Sequence, residues 1–83
     1  MKIEVKVLDR SRKIMLQVVG AGITAKDVDD STVAMMNLVK QLGGEWKMLL
    51  DLRGNDIISP EAQQAVIRQQ KAYIENGCVM VAS

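Results

Sequence analysis

The stretch Val18–Ala25, VVGAGITA, links an apolar run to a helical pattern, and the fold turns on how it is read. Gly20-Ala21-Gly22-Ile23-Thr24-Ala25 has the form G-x-G-x-x-A, the turn that carries a dinucleotide pyrophosphate at a helix N-terminus. The same residues also suit a strand-to-helix turn that needs glycine only for its backbone freedom. The flanks separate the two readings.

Three features of the flanks favour the plain turn. The preceding strand carries Lys13 and Gln17 and follows an N-terminal hairpin partner, whereas the dinucleotide fingerprint starts from a central parallel strand. The ribose-binding acid belongs about 20 residues on, at the end of the next strand. Glu45 comes before that strand and Asp51 lies beyond the spacing. Asp27, Asp29 and Asp30 crowd the start of the following helix, where their carboxylates already answer its dipole. No cofactor is expected.

Before the loop, Ile3, Val5 and Val7 alternate with Lys2, Glu4 and Lys6, the period of an edge strand with one face in the core. The polar turn Asp9–Arg12 then leads to a second strand over Lys13–Val19, with Ile14, Leu16 and Val18 on one face, so the pair forms a hairpin. After the loop the period becomes helical: Val28, Met35, Val39 and Leu42 make one stripe. Thr24 and Asp27 resemble a capping box, and Gly43-Gly44 stop the helix. Trp46–Leu52 reads as a buried strand. Ser59-Pro60-Glu61 is a helix start with Ser as N-cap, Pro at the first position and an acid in the first turn. That helix runs to Asn76-Gly77, and Cys78–Ala82 is a last strand. The expected fold is therefore α/β, β-β-α-β-α-β: a four-stranded mixed sheet with an N-terminal hairpin and two helices packed mainly on one face.

Composition narrows the function classes. The chain has 83 residues, 48% hydrophobic and 25% charged, enough for one small globular domain over 1–83. A net charge of +1 and two aromatics, Trp46 and Tyr73, give neither a phosphate footprint nor a stacking platform, so no nucleic acid is expected as a partner. Histidine is absent, which removes the commonest general base and metal ligand; neither catalytic nor metal-binding residues are assigned. The lone Cys78 fits a buried small hydrophobe in a reducing compartment, and no apolar run has the length of a membrane span, so the expected location is cytoplasmic.

Three segments together resemble the STAS family, named for sulfate transporters and anti-sigma factor antagonists, in its SpoIIAA-like branch. They are Val18-Val19-Gly20, then Met48-Leu49-Leu50-Asp51-Leu52-Arg53-Gly54 with the Ser59-Pro60 helix start, and Gly77-Cys78-Val79-Met80-Val81. The resemblance implies a non-catalytic regulatory module that binds a protein partner through the Gly54–Glu61 loop, with Gly54, Asn55, Asp56, Ser59 and Glu61 as candidate contacts. Regulatory members place a phosphoacceptor at the start of the second helix. Here Pro60 stands at that position, so the phosphoswitch is not carried over. A phosphate on Ser59 would still sit well at a helix N-terminus, which keeps Ser59 as a candidate phosphorylation site.

Family domains also continue past the fourth strand, so this chain reads as a short or C-terminally truncated version. Met15, Val19, Leu49 and Met80 alternate with Ile14, Leu16, Val18, Met48, Leu50, Val79 and Val81, which makes the sheet apolar on both faces. With helices on one face only, the other is expected to meet a second copy, giving a homodimer. The alternative is a small-ligand or lipid carrier using that face and the six methionines.

Overall fold

The computed structural model describes residues 2–83. These form β1 (Ile3–Asp9), β2 (Ile14–Val19), α1 (Ala25–Leu42), β3 (Trp46–Asp51), α2 (Pro60–Glu75) and β4 (Cys78–Ala82), in the expected order. The sheet runs β1-β2-β3-β4, with β1 antiparallel to β2 and the remaining pairs parallel. Both helices lie over one face of it, in contact with each other.

Local chemistry sets each boundary. Asp9 turns the hairpin by accepting from the Arg12 amide at 3.0 Å and the Ser11 hydroxyl at 2.9 Å. At the start of α1 the capping box forms in both directions. Thr24 Oγ1 accepts from the Asp27 amide at 3.2 Å, and the Asp27 carboxylate accepts from the Thr24 amide at 2.9 Å. Asp therefore does what Glu or Gln does elsewhere, because its shorter arm still reaches the cap amide. Gly43 closes the helix, its amide donating to Val39 at 3.0 Å.

The core divides into two clusters under the helices. One gathers Met15, Met35, Val39, Trp46, Met48, Tyr73 and Cys78; the other gathers Ile3, Val19, Ile23, Val28 and Ala65. Trp46 and Tyr73 meet edge to face at 5.4 Å, and the indole N–H donates to the Asn76 carbonyl at 2.9 Å, which satisfies its polar end. Burial of Cys78 raises the pKa of its thiol, so it stays a packed apolar group.

One expectation is corrected here. Residues Ile14, Leu16 and Val18 do not share the helix-covered face with Met48; Met15, Gln17 and Val19 do, all of them buried. The reason is Gln17. Its side chain looks like a solvent-facing group, yet it is 3% exposed and bound inside the core, where the Tyr73 hydroxyl donates to Oε1 at 2.6 Å and Nε2 donates to Gln69 Oε1 at 2.9 Å. Gln69 Nε2 in turn lies 2.7 Å from Ser31 Oγ, 2.9 Å from Thr32 Oγ1 and 3.1 Å from the Val28 carbonyl. This polar chain crosses from β2 through α2 to α1 inside the apolar layer, and each member is satisfied by the next. In β4 the expected facing holds for Met80 and Val81: Met80 shares the open face with Leu49, and Val81 pairs with Met48. Trp46 faces Cys78 but Lys47 faces Met80, so the ladder slips by one residue and Met80 turns to the open face beside Lys47.

Burial raises the pKa of the Tyr73 phenol, with the Cys78 thiol adding to it and the Ser31 hydroxyl opposing. A group whose folded pKa exceeds its unfolded value lends stability below the unfolded pKa and withdraws it as pH rises. The contribution is thus complete below about pH 10, the ordinary phenol value, and is lost above it. Tyr73 is the sole tyrosine, so phenolate absorbance reports it cleanly. Its ionisation is expected to coincide with alkaline loss of near-ultraviolet circular dichroism; a phenol that titrates normally while the fold persists would contradict the buried network.

Candidate functional site

Two loops meet at the carboxyl ends of the parallel strands β2 and β3, the end where open α/β sheets place ligands. The first, Gly20–Thr24, is the glycine turn. Its Gly20 amide donates to the Lys2 carbonyl at 2.8 Å, its Gly22 amide to Asp56 Oδ1 at 3.1 Å and its Thr24 amide to Asp27 at 2.9 Å. Donors that a pyrophosphate would use thus already hold acceptors, two of them carboxylates that would repel it. Gly22 itself sits at φ +67°, where a side chain is strained, which accounts for the glycine without any ligand. Millimolar NADH or ATP is accordingly expected to leave the melting temperature unchanged; a clear rise would restore the nucleotide reading.

The second loop runs from Leu52 to Ser59 and carries the candidate residues. It follows Asp51, the last residue of β3, whose carboxylate takes Arg53 Nη2 at 2.7 Å, Nε at 3.1 Å and the Arg53 amide at 3.1 Å. The Arg53 side chain and then its amide lower the Asp51 pKa to about 2, so the pair stays charged through neutral pH. Asn55 closes the turn, its amide donating to Leu52 at 2.9 Å. Gly54 lies against the backbone of Val19 and Gly20, and Asp56 reaches the Gly22 amide, so these two residues fasten the loops together. Ser59 caps α2, its Oγ accepting from the Ala62 amide at 3.2 Å. Asn55 and Glu61 are exposed beside them.

The five candidates therefore cluster on one end of the molecule but divide in what they do. All five are exposed; the side chains of Asp56 and Ser59 are engaged within the chain and Gly54 packs against the neighbouring loop, while no such side-chain contact engages Asn55 or Glu61 among the described residues. A residue the sequence reading left out stands among them: Ile57 is 97% exposed at the tip of the loop. The signal was present in the run Asn55-Asp56-Ile57-Ile58-Ser59, where a polar turn holds two isoleucines and only Ile58 packs against the core.

Among the described residues no cluster of acidic or thiol side chains is placed to hold a metal ion. No helix of the described residues is long and apolar enough to cross a membrane. The chain matches no family model, no curated protein and no solved structure.

Replacing Ser59 with alanine removes the acceptor for the Ala62 amide and is expected to cost about 0.5–2 kcal/mol, whereas Ser59→Asp, which caps equally well, should cost little. Urea titration of both variants tests this, and equal effects would show that capping is not what Ser59 contributes.

Proposed function

We propose that the chain is a non-catalytic, STAS-like interaction module of the cytoplasm that binds a protein partner through the Leu52–Glu61 end of the molecule. The observation that carries this reading is Ile57, an isoleucine held 97% exposed at a loop tip that is otherwise polar and internally fastened. An exposed apolar side chain in a segment that also exposes Arg53, Asn55 and Glu61 has the mixed composition of a small interface. The Asp51-Leu52-Arg53-Gly54 sequence leading into the Ser59-Pro60 helix start lends the family resemblance its support. In this reading Ser59 serves as cap and Asp56 as loop fastener, and contact falls to Ile57, Asn55 and Glu61. Affinity capture with the wild-type chain, Ile57→Asp, Glu61→Lys and, as control at the other end of α1, Lys40→Glu is the test. A protein retained by the wild type and control but lost with both loop variants is expected; equal retention on all four overturns the proposal.

The open sheet face supports a second reading, self-association. Leu16, Leu49 and Met80 lie on it, with Leu49 37% and Met80 56% exposed. On β3 this face shows Lys47 and Asp51 on either side of Leu49, so a twofold axis across Leu49 would set each Lys47 against the partner's Asp51. A carrier role for the same face is the competing use, weakened because Met15, Met35 and Met48 are core residues. Native mass spectrometry separates them: a doubled mass supports the dimer, a monomer with added ligand mass supports the carrier, and a bare monomer excludes both.

A further inference from the structure

Beneath the Leu52–Ile58 loop lies a cavity of about 200 Å³, between the carboxyl ends of β2 and β3 and the facing sides of α1 and α2. We infer that it is a binding site for a small uncharged organic molecule, a single ring or short chain bearing a carboxamide or similar donor-acceptor group. This goes beyond the partner reading and stands without it, since of that reading's contacts only Asn55, at the rim, is shared with the cavity.

The lining defines the ligand. Val19, Val28, Leu50 and Val66 supply apolar walls, and the buried amides of Gln17 and Gln69 reach it from the core network. Asn55 and Gln70, both exposed, stand at the rim. Among the described residues, none that lines the cavity is ionisable, so a charged ligand would lose its hydration and gain no counter-charge. A neutral one suffers no such loss. Carboxamides donate and accept together, so the partner for Asn55 and Gln70 is a group that does the same. Size follows from volume: an apolar protein cavity of about 150 Å³ holds benzene, so this space fits one ring with a short substituent.

Benzamide is the probe, with benzoate as its charged isostere and benzene as the ring alone, each titrated against ¹⁵N- and methyl-labelled protein by NMR. Saturable millimolar shifts at Val28, Val66 and the Gln69 amide are expected with benzamide, at least about tenfold weaker with benzoate. Val66→Phe, which fills the space, should abolish them. Should that variant fail to fold, Asn55→Ala with Gln70→Ala, both at exposed positions, is decisive: benzamide should weaken while benzene is unaffected. No saturable shift, equal binding of benzoate, or shifts confined to the open face of the sheet would overturn the assignment.

Discussion

Gln69→Leu is expected to destabilise the fold by about 2–4 kcal/mol, although leucine fits the same volume and is the more hydrophobic side chain. The cost comes from what remains. Gln17 Nε2 loses its acceptor at 2.9 Å, and Ser31 and Thr32 lose the donor that joined them to α2, all within the apolar layer. A buried donor left without a partner costs about 1–3 kcal/mol. The network reading also predicts coupling: the Gln17→Leu, Gln69→Leu double variant should lose less than the sum of its parts, because each change removes groups that the other orphans. Urea unfolding of the three variants measures this directly. Additive losses would mean that the two amides act independently, and a stabilised Gln69→Leu would mean that the buried chain of hydrogen bonds is not formed in solution.

Gly77→Ala is expected to cost about 2–4 kcal/mol, from two causes that act at one atom. The residue sits at φ +102°, outside the range of side-chain-bearing residues, and a Cβ placed there would lie 2.7 Å from the Gly44 carbonyl oxygen. Neither can relax easily, since the Gly77 carbonyl accepts from the Trp46 amide at 2.9 Å and thereby sets the start of the β3–β4 ladder. Gly43→Ala is the control. Gly43 also has a positive φ, +68° with ψ 155°, a region essentially confined to glycine, but nothing lies within 4 Å of its Cβ position, so only the backbone cost of about 1–3 kcal/mol applies. Equal effects of the two substitutions in thermal unfolding would show that the crowding against Gly44 is not felt.

How much could be read in advance differs from element to element, for physical reasons. Helix ends were legible because their signals are local: Thr24 with Asp27 and Ser59 with Pro60 act within one turn, and each does so in the structure. The order of elements and the shared helix face also follow from the alternation of strands and helices, whereas the strand order within the sheet does not. The facing of β2 was not legible, because Ile14, Leu16, Val18 on one side and Met15, Val19 on the other are equally apolar. The choice was made by Gln17, whose partners Gln69 and Tyr73 lie 52 and 56 residues away. At the candidate site the same limit applies. The flanks of the glycine pattern speak against a nucleotide, but the Asp56 carboxylate that occupies its Gly22 amide comes from 34 residues downstream, and no local pattern announces it.

The agreement between chain order and sheet order bears on how the molecule is made. Strands β1 to β4 lie side by side in the sequence in which they leave the ribosome, so no strand has to be threaded between two that are already paired. The hairpin can close while the rest of the chain is still being translated, and each helix-strand unit then adds to the rim left by the one before. At every stage of synthesis the nascent sheet exposes a single growing margin beside β2, then β3, then β4, and never an interior gap for a foreign strand to fill.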